Sequence, residues 1–229
     1  MMNEMSGTEG VEVARITVLG GSGYAGAAVV AEGRRRGHVV TAVSRSAPAE
    51  QIDGVEYRTG SVLDGGVLED AVAGRDVVVV ALSPRSDLAG GKQEAVIEGL
   101  IGRLAGTPTR LGYIGGASSL LVADDGPRLW DVARDQLPAD AKPEIETGLK
   151  VFDLLQDSPA SVDWFYVSPP ADFGSWLGTP SKGSYLLGGD ILLRDEEGTS
   201  TISAADLALA ILDEIETPAH RRRRFTAIH

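Results

Sequence analysis

The chain has no cysteine and only three histidines, His38, His220 and His229. No disulfide can form and no thiol can serve as a nucleophile. A histidine-based metal site has too few ligands to draw on, and no acidic cluster has the look of a carboxylate site for Mg²⁺. Positive charge is also scarce. Lysine and arginine total 21 against 33 aspartates and glutamates, a net charge of −12. Nucleic acid or an anionic membrane would need a positive footprint, so neither is an expected partner. Long apolar runs are missing too. VVVVAL over 77–82 is far too short to span a bilayer. The opening MMNEMSGTEGVEVA (1–14) lacks the basic start and apolar stretch of a signal peptide and reads as a loose leader. The expectation is a soluble cytoplasmic protein with no membrane association. There are no internal repeats, low-complexity tracts or linkers, and 229 residues suit one α/β domain over 15–229.

What is present is organised around RITVLGGSGYAG (15–26). Residues 16–19 read as a buried strand. Gly20, Gly23 and Gly26 follow with GxxGxxG spacing, and an Ala-rich helix begins. In that context the first glycine permits the tight turn and the second lets the backbone approach a pyrophosphate. The third lets helix pack on strand, while the helix N-terminus offers free N–H groups. A tight βα turn without a ligand is the alternative reading.

Further on, HVVTAVS (38–44), 55–59, 77–82, 109–114 and 162–168 read as strands, with helices over 24–36, 66–73, 91–105, 144–156 and from Ser203 to about 216. The strands are continuous apolar runs, as a parallel sheet covered on both faces requires. This predicts a doubly wound, mostly parallel α/β sheet. After Pro169-Pro170 the regular alternation stops. A small C-terminal extension is expected there, and the substrate side should come mainly from 115–200. Residues 124–143 read as a loop that could cover a site. An edge strand is expected over 225–228. Arg34 to Arg36 and Arg221 to Arg224 read as solvated turns.

Ser44-Arg45-Ser46 closes the second strand, with no carboxylate until Glu50. An acid at this position would bond the 2′-hydroxyl of NAD, whereas a basic residue suits the 2′-phosphate of NADP. Arg45 therefore favours NADP(H), with NAD(H) less favoured.

Together GGSGYAG (20–26), GSVLDGGVLEDAVAGRDVVVVAL (60–82), IGGASSL (114–120), DWFYVSPPADF (163–173), YLLGGD (185–190) and ISAADLALAILDE (202–214) resemble an atypical branch of the short-chain dehydrogenase/reductases. That branch has a Rossmann sheet and includes NAD(P)H-dependent flavin reductases, biliverdin-IXβ reductase and NmrA-like proteins. The resemblance covers nearly the whole chain from Arg15. It implies that Gly20, Ser22, Gly23, Tyr24 and Ala25 touch the pyrophosphate and that Arg45 takes the 2′-phosphate. Val62 and Leu63 would flank adenine, with Asp64 nearby. Leu82, Ser83 and Arg85 would line the inner wall. Ser118 matches an active-site serine, with Ser119 beside it. Ser168, Pro169 and Pro170 would face the nicotinamide.

Two departures stand out. The branch has Gly-Asp where this chain has Gly60-Ser61. More important, many short-chain members carry Tyr-x-x-x-Lys, and here none of the five tyrosines precedes a lysine in that frame. Without a neighbouring ammonium to depress its pKa, a tyrosine is a poor acid at neutral pH. Hydride transfer to a flavin survives this loss, because the ring accepts hydride and delocalises the charge. The expected function is NADPH-dependent hydride transfer to a planar acceptor (flavin, quinone or tetrapyrrole), with flavin a substrate and the protein a monomer or homodimer. The alternative is a dinucleotide sensor of the NmrA-like kind without turnover.

Overall fold

A computed structural model describes residues 12–229; most of the loose leader expected over 1–14 lies outside the described residues. The elements are β1 (Arg15–Leu19), α1 (Tyr24–Arg35), β2 (Val39–Ser44), β3 (Glu56–Thr59), α2 (Gly65–Val72), β4 (Val77–Val80) and α3 (Lys92–Leu104). They continue as β5 (Arg110–Ile114), α4 (Leu129–Ala133), α5 (Lys142–Gln156), β6 (Trp164–Ser168), β7 (Leu186–Gly188), α6 (Ala204–Glu216) and β8 (Arg223–Ile228). The eight strands form one sheet in the order β3-β2-β1-β4-β5-β6-β8-β7. Every pairing is parallel except β7 with β8.

Burial on both faces explains the strand composition. All four residues of β4 and all five of β5 and β6 are buried. One apolar layer joins α1 and α6 to the sheet, through Val29, Val30, Leu207 and Ile211. The other joins α2, α3 and α5, through Leu68, Ile97, Leu100, Val151 and Leu155. Strand order reverses between β1 and β4, and ligands of such sheets lie outside the carboxyl ends of the strands at that reversal. Among the described residues no helix is long and apolar enough to cross a membrane.

Four expectations are corrected. The 225–228 strand is not at the edge: β8 lies between β6 and β7, and β7 takes the edge. Residues 124–143 hold the short helix α4 rather than open loop throughout. Arg36 is not solvated, because it bridges Glu32 on its own helix to Asp213 and Glu216 on α6. The Arg221–Arg224 run is not solvated as a whole either. Arg222 donates to the carbonyls of Ser158, Pro159 and Val162, and Arg224 is buried. Unmet carbonyls at the end of a helix or strand recruit guanidinium groups when the fold brings them close.

The segment following β6 is held at both ends. Asp172 N–H donates to the Ser200 carbonyl at 2.9 Å. Farther on, fully buried Asp206 accepts from Ser181 Oγ, Lys182 N, Gly183 N and Ser203 Oγ at 2.7 to 2.9 Å, and from His229 Nε2 at 2.6 Å. Burial pushes this carboxyl up, but the donors outweigh burial and bring it down from 3.8 to about 2. A carboxyl depressed on folding stabilises above its unfolded pKa, and the contribution is lost as pH falls through the folded value. Asp206→Asn is therefore expected to lower stability at pH 7 by roughly 2 kcal/mol. The difference from the parent should shrink between pH 4 and pH 2. Urea unfolding at pH 7 and pH 3 checks this, and equal midpoints at pH 7 would remove Asp206 as the anchor.

Candidate functional site

A cleft of about 670 Å³ opens at the carboxyl ends of β1, β2, β4 and β5. Its floor is the glycine turn. Gly20 has φ +87°, and its N–H donates to the Val43 carbonyl at 2.8 Å. A Cβ there would sit 2.3 Å from the Ala81 carbonyl oxygen, and one on Gly26 would sit 2.2 Å from the Gly20 carbonyl oxygen. The turn is thus wedged between β1, β4 and α1. Gly23 precedes helix α1 as its N-cap and offers no side-chain cap, and the helix has no acid in its first turn. Its leading N–H groups keep their capacity for an anion beside the cleft. This donor set fits a dinucleotide pyrophosphate. Gly20, Ser22, Gly23, Tyr24 and Ala25 all line the cleft.

At one end the walls are Ser44, Arg45, Gly60, Ser61 and Val62. Arg45 is exposed, and its Nη1 meets Asp87 Oδ1 at 2.6 Å from the loop after β4. Asp64 caps α2 by accepting from Gly66 N at 2.8 Å. Leu63 is 45% exposed and does not line the cleft. Along the inner wall lie Leu82, Ser83 and Arg85. Ser83 Oγ donates to Glu144 Oε1 at 3.0 Å, and Arg85 Nε to Glu144 Oε2 at 2.5 Å, so this loop is tied to the start of α5.

At the other end Gly115, Gly116, Ser118 and Ser119 face Gly148 and Leu149 of α5. Behind them Tyr113 and Tyr166 stack with ring centres 5.3 Å apart. Tyr113 Oη accepts from Gln93 Nε2 at 2.8 Å, and Tyr166 Oη donates to the Gly148 carbonyl at 3.4 Å. Burial pushes both phenols up, so each stays neutral at physiological pH. A Cβ on Gly115 would lie 1.8 Å from Tyr166 Oη, so the floor is glycine because a tyrosine stands beneath it. Phe173, Gly174, Ser175 and Trp176 form the mouth; Trp176 is 76% exposed, and Phe173 packs 5.3 Å from Tyr24.

The structure therefore brings together Gly20, Ser22, Gly23, Tyr24, Ala25, Arg45, Val62, Leu82, Ser83, Arg85 and Ser118. It places Ser168, Pro169 and Pro170 in buried positions that do not line the cleft. Residues 124–143 do not line it either. Lys150 is exposed, and no lysine is among the lining residues. Among the described residues no group of three or more histidines and carboxylates could hold a metal ion.

Sequence reasoning missed Tyr113, Tyr166, Gln93, Asp87 and Glu144. Tyr113 and Tyr166 are direct partners in the parallel register of β5 and β6. Aligning those two predicted strands would have paired them. The carboxylates gave no such signal, since their arginine partners are 42 and 59 residues away.

The chain is similar to known proteins over nearly its whole length. A Bacillus subtilis protein, the uncharacterized YwnB, is 34% identical over 223 residues, covering 93% of this chain and 98% of its own length. A solved structure from Streptococcus pneumoniae, provisionally assigned as an NADH-flavin reductase, superposes with a TM-score of 0.84 at 31% identity, covering 94% of this chain and 99% of its own. Another from Bacteroides thetaiotaomicron, provisionally assigned as an epimerase, gives 0.81 at 30% identity, covering 95% and 98%. With residues 20–218 matching the family's sequence profile, the chain belongs to the NAD(P)H-binding family.

Proposed function

We propose that the protein is an NADPH-dependent reductase that passes hydride to a flavin or a similar planar acceptor. The observation that carries this reading is one continuous cleft. It runs from the uncapped N-terminus of α1 to a floor of Gly115, Gly116 and Ser118, and no lysine lines it. The nicotinamide ring, when bound, supplies the hydride. The chain supplies binding, orientation and dryness. The turn at Gly20 and the free N–H groups of α1 hold the pyrophosphate. Gly116, where a Cβ would meet nothing within 4 Å, leaves room for a second ring, and a flat acceptor needs close approach more than a committed acid. Ser118 orients the acceptor or relays a proton through water. Phe173 and Trp176 at the mouth offer aromatic faces for it.

Purified protein should oxidise NADPH with FMN, riboflavin or a quinone, saturably and faster than NADH. Tight NADPH binding without turnover of any of these would favour a dinucleotide sensor, a role the missing Tyr/Lys pair also allows. Binding of neither nucleotide would remove the site altogether.

The cofactor end makes a sharper prediction, because Arg45 and Asp87 form a solvent-exposed ion pair. Such a pair contributes little to stability, so a 2′-phosphate can displace the carboxylate. Arg45→Asp should weaken NADPH binding roughly tenfold or more and leave NADH nearly unchanged. Asp87→Asn should have the opposite sign, raising the NADPH preference. Calorimetric titration of both variants with both nucleotides decides it, and parallel losses for NADPH and NADH would take Arg45 off the phosphate.

A further inference from the structure

We propose that Arg224, from the basic run on β8, is a positioning residue for the acceptor end of the cleft. The proposal rests on the hydride-transfer reading above. Arg224 pairs in register with Tyr166 of β6, yet its guanidinium reaches forward to the turn that carries Ser118. Nη1 donates to the Ser119 carbonyl at 2.5 Å, Nε to Asp190 Oδ1 at 2.9 Å, and Nη2 to the Asp190 carbonyl at 3.3 Å. That same Asp190 carbonyl accepts from Leu121 N at 2.8 Å. The guanidinium lies 4.6 Å from the centre of the Phe152 ring, which in turn packs edge-on against Tyr166. One side chain thus ties β8, the Ser118–Ser119 turn, the segment following β7 and the tyrosine wall. It does so without lining the cleft.

The chemistry calls for arginine. The side chain is 4% exposed, and a buried cation persists only where its N–H groups are met. Three acceptors in different directions match the planar fork and not a lysine ammonium. Backbone bonds anchor the two ends of the turn, from Gly115 N to the Val167 carbonyl at 2.9 Å and from Leu121 N to the Asp190 carbonyl at 2.8 Å. Of its side chains, Ser119 Oγ reaches the Gly116 carbonyl only at 3.4 Å, and the guanidinium is the charged contact to its middle. Losing the clamp would let Ser118 drift relative to the nicotinamide end. A displacement of about 1 Å can cost on the order of a hundredfold in rate.

The test uses Arg224→Gln, Arg224→Lys and Asp190→Asn. Asp190 is 64% exposed in its side chain, so its variant keeps the fold if the arginine variants do not. FMN reduction at saturating NADPH should fall about tenfold or more in Arg224→Gln. NADPH affinity should stay within twofold, Arg224→Lys should recover part of the rate, and Asp190→Asn should show a smaller loss of the same kind. Parallel losses in NADPH affinity and FMN turnover would overturn the proposal, as would full FMN activity in Arg224→Gln or, where that variant does not fold, in both others. If the parent turns over no acceptor, the hydride-transfer reading fails by itself. Arg224 is then decided by hydrogen exchange at Leu120 N–H, which bonds the Ala117 carbonyl at 2.8 Å. Faster exchange in Asp190→Asn and Arg224→Lys upholds the clamp, and unchanged exchange overturns it.

Discussion

Gly26→Ala should abolish measurable NADPH binding. The added Cβ would lie 2.2 Å from the Gly20 carbonyl oxygen and 2.9 Å from its carbon. Both are backbone atoms, so no rotamer relieves the overlap. The start of α1 must move away from the turn, and that separation opens the donor cradle beside the cleft. Alanine's better helix propensity, worth up to about 1 kcal/mol, works the other way. Overpacking of about 1 to 3 kcal/mol outweighs it. The net effect is a lower melting temperature and at least a hundredfold loss of NADPH affinity by calorimetry. Gly102→Ala is the matched control, because it lies in α3 with nothing within 4 Å of the place its methyl group would take. It should stabilise by about 0.5 to 1 kcal/mol and leave binding untouched. Parent-like NADPH affinity in Gly26→Ala would mean that the third glycine is not needed for close packing.

Glu214→Ala should cost the most stability and spare the site in whatever protein remains folded. Glu214 and Arg110 are both buried. Arg110 Nη2 donates to Glu214 Oε1 at 2.6 Å and Nη1 to the Glu214 carbonyl at 3.0 Å, and the guanidinium lies 4.9 Å from the centre of the Phe165 ring. The carboxylate also accepts from His220 Nδ1 at 2.7 Å and from the N–H groups of Ala219 and His220. Burial pushes this carboxyl up, yet Arg110 and His220 hold it below its ordinary value. Truncation strands a buried cation, for which breaking one side of a pair costs about 3 to 5 kcal/mol. Arg110 would keep one carboxylate, Asp163 at 3.3 Å, beside the main-chain carbonyls of residue 214 at 3.0 Å and His220 at 3.2 Å. Glu214→Gln, which retains an acceptor, should lose less. The pair sits where β5 begins, and the cleft lies where the strands end. Urea unfolding and NADPH titration should therefore separate cleanly. An Ala variant as stable as the parent would show that the pair contributes nothing net.

These two positions differ in how far they could be read in advance. Gly26 stands in a turn whose spacing and flanking strand and helix carry their meaning locally. Glu214 looks like one more acid on an amphipathic helix. The same division runs through the cleft. Gly20, Gly23 and Arg45 were legible because a strand end and a helix start fix which atoms point outward. Tyr113 and Tyr166 were visible only as missing their lysines, and their stacking became evident once β5 and β6 lay in register. Arg224 was misread because a basic run in an acidic chain is normally solvated, and nothing within the run announces a buried member.

By itself, then, the amino-acid sequence determined the alternation of strands and helices, the doubly wound class and the glycine turn. Each follows from hydrophobic period, caps and turn chemistry within a dozen or so residues. Tertiary structure alone decided where charges and hydroxyls meet. It placed β8 inside the sheet, set Asp87 against Arg45 across 42 residues and Arg224 against Ser119 across 105. It also left residues 124–143 outside the cleft and brought Phe173 and Trp176 to its mouth. The physical reason is that a desolvated charge takes whichever partner the packed layers deliver within about 3 Å, and sequence distance places no limit on which partner that is.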